Sequence, residues 1–312
     1  MNFLWIRLVT IAIILTPFAT YAKDRIFVTN EKSNTMSVID AETLKVEHTI
    51  DVGDRPRGIG LSPDSSELYV AISEENKIVV LDPNSLKILR DFEAGSDPET
   101  FGVHPNGNIY ISNEDDAKAS VFNPKTGKQL AEIKVGLEPE GVAISPDGKR
   151  VIVTSESTNM LHVIKAPENV IESNILIGSR PRAAVFTKSG DIAYATAEIS
   201  GEVVKVDMNK AKILKTASLG DAKAKPKDVI LAKDEKTIYV EEALHRLVEL
   251  HFKIGLIEES KKYAVLLGYN YQSSKWYEET YKVLNKDYVK ISKNKNKAKE
   301  DSIIKKFKDL LK

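Results

Sequence analysis

The chain has 312 residues, with 45 Lys and Arg set against 45 Asp and Glu, and 42% of it is hydrophobic. That length supports a sizeable core in two domains or one repeat array, and the balanced charge gives no reason to expect a nucleic-acid partner. The absence of cysteine excludes disulfides, thiolate nucleophiles, cysteine-held metals and a lipidated cysteine anchor.

At the N-terminus, Arg7 precedes an apolar run from Leu8 to Leu15, and Thr20-Tyr21-Ala22 offers small residues for cleavage. This pattern predicts a secretory signal over residues 1–22, cleaved near Ala22. The run is shorter than the roughly 20 apolar residues that span a bilayer, and Pro17 interrupts it. The expected location is the periplasm, and the protein is not expected to be a lipoprotein.

From residue 23 to 240 the sequence repeats. A glycine recurs at Gly53, Gly95, Gly136, Gly178 and Gly220, with a proline shortly after at Pro56, Pro98, Pro139, Pro181 and Pro226, a period of about 42 residues. Each unit carries four short runs rich in Val, Ile and Tyr between Gly, Pro, Asn and Asp turns, such as Gly58 to Leu61, Leu68-Tyr69-Val70 and Ile78 to Asp82. Four strands per repeat of this length predict one propeller blade per repeat. The run after the proline is the expected innermost strand, and the run ending at the glycine the outermost.

Two loop sets then share one face. Loops entering the inner strands carry Arg55 and Arg57, Glu99, Glu138 and Glu140, and Arg180 and Arg182; loops after the second strands carry Glu31, Glu74, Glu114, Glu156 and Glu198. This ring of carboxylates and guanidinium groups at the channel mouth is the candidate site. It reads as a binding mouth for a small polar ligand or a partner's loop, or as a structural network in which each Glu pairs with an Arg. The regular recurrence in every blade favours the network.

The segments Arg55-Pro56-Arg57-Gly58, Asp97-Pro98-Glu99-Thr100-Phe101, Gly136-Leu137-Glu138-Pro139-Glu140-Gly141, Thr154 to Met160 and Ser179-Arg180-Pro181-Arg182 resemble YVTN-repeat β-propellers, in the branch associated with PQQ-dependent catabolism. The resemblance covers about residues 24–240. It implies a periplasmic, non-enzymatic protein associated with quinoprotein alcohol oxidation, and a ring of about seven blades. Only five inner strands can be counted, after Pro56, Pro98, Pro139, Pro181 and Pro226, and the first strand, Arg25 to Thr29, has no inner strand before it. The fold expected is therefore mainly β, an incomplete propeller of about five blades, with an open arc rather than a closed ring.

After Val240 the pattern changes. Ala243, Leu244, Leu247, Val248 and Phe252 fall on one helical face before Gly255; Ile257 to Leu267 predicts a second helix closed by Gly268, and Ser273-Ser274 an N-cap for a third. Residues 241–285 thus predict a small TPR-like helical unit, with Ser260 and Ala264 where helices touch. Glu242 to Glu249, Leu266 to Tyr271 and Ser273 to Tyr277 resemble the C-terminal part of BamD, the TPR lipoprotein of outer-membrane protein assembly. That resemblance implies outer-membrane assembly components as partners. The chain reads as two truncated proteins joined at Val240-Glu241, by gene fusion or by an error of sequence assembly. The lysine-rich tail, residues 286–312, is expected to be solvated, with a short terminal helix.

No phosphate-binding loop, zinc motif or calcium loop is present in the sequence, so no cofactor and no metal are expected. His48, His104, His162, His245 and His251 stand at unrelated positions and read as structural or exposed. The function expected is binding rather than catalysis.

Overall fold

Strands buried on both faces are mainly apolar, and the middle runs of the repeats, such as Leu68–Ile72 and Lys77–Leu81, fit that rule. The computed structural model of the chain describes residues 24–43, 45–219, 225–231, 235, 238–239, 241–270 and 275–284. The signal segment, the lysine-rich tail, Gly220 and the Ser273-Ser274 cap lie outside the described residues.

The repeats form successive antiparallel sheets. The first has three strands, β1 (Arg25–Asn30), β2 (Thr35–Asp40) and β3 (Val46–Asp51). Four sheets of four follow. The second blade comprises β4 (Pro56–Leu61), β5 (Leu68–Ile72), β6 (Lys77–Leu81) and β7 (Ile88–Glu93); the third β8 (Pro98–Val103), β9 (Ile109–Asn113), β10 (Lys118–Asn123) and β11 (Lys128–Lys134). The fourth comprises β12 (Pro139–Ile144), β13 (Arg150–Ser155), β14 (Met160–Lys165) and β15 (Val170–Leu176); the fifth β16 (Pro181–Phe186), β17 (Ile192–Ala197), β18 (Glu202–Asp207) and β19 (Lys212–Ser218). A two-stranded sheet, β20 (Ile230–Leu231) with β21 (Ile238–Tyr239), ends the array. This is the incomplete propeller that the repeat predicts.

Alternation along β5 shows how blades cohere. Leu68, Val70 and Ile72 pack with Met36 and Val38 of the first blade, while Tyr69 and Ala71 pack with Ile109 and Ile111 of the third. The period of two sends alternate side chains to opposite neighbours, so each second strand serves two inter-blade cores. Each aliphatic side chain fully buried there contributes about 1.5–3 kcal/mol. The outer strands, by contrast, alternate between exposed and half-buried residues, as in β7.

The repeat glycine closes the gap between blades. A Cβ on Gly95 would lie 2.6 Å from the Asn113 amide of the next blade, and its φ of +82° is the left-handed region that suits glycine. Gly136 is equally confined, with His162 Nε2 only 2.8 Å from a Cβ. The strict recurrence in sequence is thus a packing requirement at the seam.

The described strands at the two ends of the array are not paired with each other. Among the described residues, β1 pairs with β2 alone and β20 with β21. Beyond the array, α1 (Glu241–Lys253), α2 (Ile257–Asn270) and α3 (Lys275–Leu284) pack around Val248, Ala264, Leu267 and Tyr281. Gly255, at φ +84°, ends α1: its N–H donates to Phe252 O and the Leu256 N–H to His251 O, which satisfies the last carbonyls. Ser260 and Ala264 are both fully buried, and Ser260 Oγ donates to Val248 O at 2.9 Å across the α1–α2 contact. One boundary differs from the sequence reading: α2 runs through Gly268 to Asn270. A single glycine costs a helix only about 1 kcal/mol, which the packing of Leu267 offsets. Among the described residues, no helix is long and apolar enough to cross a membrane.

Candidate functional site

The mouth is built on strained backbone. Arg55, Asp97, Glu138 and Arg180, each immediately before a blade's proline, have φ of 57°, 43°, 53° and 62°. A residue before proline is restricted to extended backbone, and a left-handed non-glycine residue stores about 1–3 kcal/mol. Fixed hydrogen bonds hold these residues there. The N–H groups of Arg55, Asp97 and Arg180 donate to the side-chain oxygens of Asn34, Asn76 and Asn159 at 3.1, 2.9 and 3.0 Å. Their carbonyls, and that of Glu138, accept the N–H groups of Ser73, Glu114, Glu198 and Glu156. Asn34, Asn76 and Asn159 are themselves left-handed, a conformation asparagine tolerates. The sequence reading passed over these asparagines, although their recurrence at one place in the repeat was the available signal.

On this frame the side chains interlock. Arg55 reaches Glu31 at 3.2 Å, Glu99 at 3.2 Å, Asp97 at 3.3 Å and Glu74 at 3.7 Å. Arg57 pairs with Glu99, with Glu31 at 3.0 Å and with Glu140 at 3.5 Å. Arg182 pairs with Glu156, with Glu140 at 2.7 Å and with Glu198 at 3.8 Å. Arg180 lies 2.7 Å from Glu156 and 3.3 Å from Glu198. Glu114 joins through Glu99, their carboxylates lying with that of Asp97 within 4.8 Å of one another. Glu140 is the link between the two arginine pairs. Glu138 stands apart: it is exposed and accepts a hydrogen bond from Ser157. Asp97 belongs to the network although the sequence reading left it out.

Burial sets the protonation of this network. Glu99 is pushed up, to about 8, by burial first; Arg57 pulls the other way, while Glu140 and Glu114 add to the rise. Burial also raises Glu140 against the pull of Arg182 and Arg57. At Glu31 burial is outweighed by Arg57 and Arg55, so its carboxyl lies below the usual range. The carboxylates of Asp97, Glu99 and Glu114 form a cluster of the kind that can hold a cation, but the Arg55 guanidinium already touches two of them.

His104 and His162 are structural, whereas His48 is exposed on β3. His162 Nε2 accepts the Gly136 N–H at 2.8 Å and Nδ1 faces Asn174 Oδ1 at 2.6 Å. His104 is buried, and its Nε2 meets the Gly148 carbonyl of the next blade at 2.6 Å.

No family model matches the chain. The outer membrane protein assembly factor BamD of Rickettsia prowazekii (strain Madrid E) is 48% identical over 50 residues, which is 16% of this chain and 20% of that protein. BamD of Caulobacter vibrioides is 39% identical over 69 residues, 22% of this chain and 21% of that protein. The chain therefore spans about a fifth of the length of these relatives. Among solved structures, hydrazine synthase of Kuenenia stuttgartiensis aligns with a TM-score of 0.62 at 20% identity, covering 69% of each chain. Virginiamycin B lyase of Staphylococcus aureus aligns with a TM-score of 0.58 at 16% identity, covering 67% of this chain and 71% of that one. At such identities the likeness is one of fold: the chain has a β-propeller-like architecture, together with a short segment similar to BamD.

Proposed function

We propose that the chain is an exported, non-enzymatic binding module of the periplasm, freed of its leader near Ala22, whose blade mouth engages a partner protein's polar loop or a small polar ligand. The observation that carries this reading is the two-tier mouth. Glu99, Glu156 and Glu198 are buried and hold the arginines, while Glu31, Glu74 and Arg180 keep 44%, 63% and 45% of their side chains exposed. Charged groups already fixed by their neighbours lose little freedom on binding, which favours affinity. Guanidinium groups stay protonated, so a mouth of Arg–Glu pairs suits recognition better than proton transfer. The likeness of the repeats to the PQQ-associated branch supports a partner in quinoprotein alcohol oxidation.

Calorimetric titration of the full chain with a purified quinoprotein alcohol dehydrogenase tests this. Saturable binding is expected, weakened about tenfold by Glu74→Lys or by Glu138→Lys, at two exposed mouth positions, with an unchanged melting temperature. No binding heat sinks the dehydrogenase as partner, and binding indifferent to both substitutions sinks the mouth.

A second reading rests on the BamD similarity. The helices would then contact outer-membrane assembly components, and Leu256 and Ile257, 47% and 37% exposed at the α1–α2 turn, are the residues to change. Leu256→Asp should weaken capture of those components if this reading holds.

A further inference from the structure

Two series of mouth positions are polar in blade after blade, and each is broken once. Directly before the left-handed residue that precedes the proline of each complete blade stand Asp54, Ser96, Leu137 and Ser179. Directly after the ring glutamates stand Lys32, Glu75, Asp115, Ser157 and Ile199. Leu137, in the loop entering the fourth blade, and Ile199, in a loop of the fifth, are the aliphatic members, 61% and 59% exposed. A single exposed aliphatic residue is ordinary. Two that break both series in neighbouring blades, where packing asks for neither, mark a departure of the kind that function imposes on a repeat.

A cavity of about 290 Å³ opens at that seam, and its lining includes Glu138, Glu156, Ser157, Arg180 and Ile199. That volume sits at the lower end of the roughly 300–1,000 Å³ of ligand pockets, which suits one long side chain. Its charges do not cancel. Arg180 is committed to Glu156 at 2.7 Å and to Glu198 at 3.3 Å, and Arg182 holds Glu156 as well, so an anion finds no uncommitted cation there. Glu138 is different. Its counterparts Arg55, Asp97 and Arg180 all stand in ion pairs. Among the described residues, the exposed Glu138 carboxylate has the Ser157 hydroxyl as its hydrogen-bond partner and no ion pair.

We propose that this cavity receives an arginine or lysine side chain, flanked by an apolar residue, from a loop of a partner protein. It rests on the binding role proposed for the mouth and adds the position and chemistry of the anchor. Long cationic side chains join an apolar stem to a charged head. The stem suits the aliphatic wall at Ile199, and the head suits the uncompensated carboxylate of Glu138. Leu137, adjoining Glu138 in the chain, offers apolar surface to the flanking residue. Anchors of this type, seated in a pocket, carry a large share of the energy of many protein interfaces.

The test is a magnetic-resonance titration of the full chain with the blocked peptide acetyl-Gly-Leu-Arg-Gly-amide. Backbone amide shifts of Ser157, Ser179 and Ile199 should move saturably. Replacing arginine in the peptide by citrulline, neutral and of the same shape, should weaken binding about fivefold, the scale of a part-exposed ion pair. Glu138→Gln should erase that difference between the peptides. Ile199→Ser should weaken the arginine peptide about tenfold with an unchanged melting temperature. Unmoved amides at millimolar peptide, or equal binding of the citrulline peptide, overturn the proposal. Agmatine, a free guanidinium compound, binding as tightly as the peptide overturns the protein loop as occupant. These outcomes do not depend on the dehydrogenase. Dehydrogenase binding that is weakened by Glu74→Lys but not by Ile199→Ser keeps the mouth and overturns this cavity.

Discussion

Arg182 lies 2.7 Å from Glu140, so a side chain of the fifth blade is tied to a carboxylate of the fourth. Only 16% of the Arg182 side chain and 11% of the Glu140 side chain are exposed. Together with Glu156 and Glu198, the pair works as a seam, and its removal leaves buried carboxylates without their cation.

Arg182→Ala should therefore cost about 1–3 kcal/mol, the penalty of leaving a buried polar group unsatisfied. Chemical denaturation of the purified variant measures it. An unchanged midpoint combined with lost partner binding would shift the role of this arginine from cohesion to recognition.

Glu99 gives the mouth an alkaline limit. Its carboxyl is raised by burial to about 8, from an ordinary value near 4.5, so the native state binds its proton more tightly than the unfolded state. The stability linked to this group is full below about 4.5 and is lost as pH rises through about 8. Melting temperatures between those limits should fall with pH, and Glu99→Gln should flatten the slope. A Gln variant with the same slope as the native chain would assign it to other groups.

His162 works in the opposite direction. Burial lowers its pKa, with the Asn174 hydrogen bond opposing, and the neutral ring accepts the Gly136 N–H. The unfolded state then binds the proton more readily, so stability is present above about 6.5 and falls away as pH drops below it. His162→Gln keeps an acceptor but cannot titrate there. A thermal-melt series from pH 7 downward should decline for the native chain and decline less for the variant.

The blades could be read from sequence because two packing requirements recur from blade to blade. Gly95 and Gly136 stand where the next blade leaves no room for a Cβ, and Leu68 to Ile72 must be apolar on both faces. The clustering of Arg55, Arg57, Glu99, Glu140, Arg180 and Arg182 on one face was legible, since position in the repeat fixes position on the face. Its connectivity was not. Glu138 occupies a ring position yet turns to Ser157, and Asp97 enters the network because Arg55 of the neighbouring blade reaches it. Both outcomes depend on side-chain reach across a blade seam, a distance that repeat spacing does not encode. The end of α2 escaped for a different reason: Gly268 carries only a weak local penalty, and tertiary packing overrides it.

The Asn34, Asn76 and Asn159 series contains its own natural exception. At the corresponding place between the third and fourth blades stands Ala117, also left-handed at φ 52°. Alanine carries the steric cost of that conformation without the local side-chain hydrogen bonding that lets asparagine visit it, and it offers no oxygen to the Glu138 N–H. The other three loops receive that bond. Ala117→Asn should therefore stabilise the chain by about 0.5–1.5 kcal/mol, the net worth of one hydrogen bond. Asn76→Ala should destabilise it by a similar amount or more, since the Asp97 N–H loses its partner at 2.9 Å. Denaturation midpoints of the two variants, read against the native chain, check both signs. If Ala117→Asn destabilises, the loop entering the fourth blade is held in a different way from its three counterparts, and the shared asparagine clamp does not extend to it.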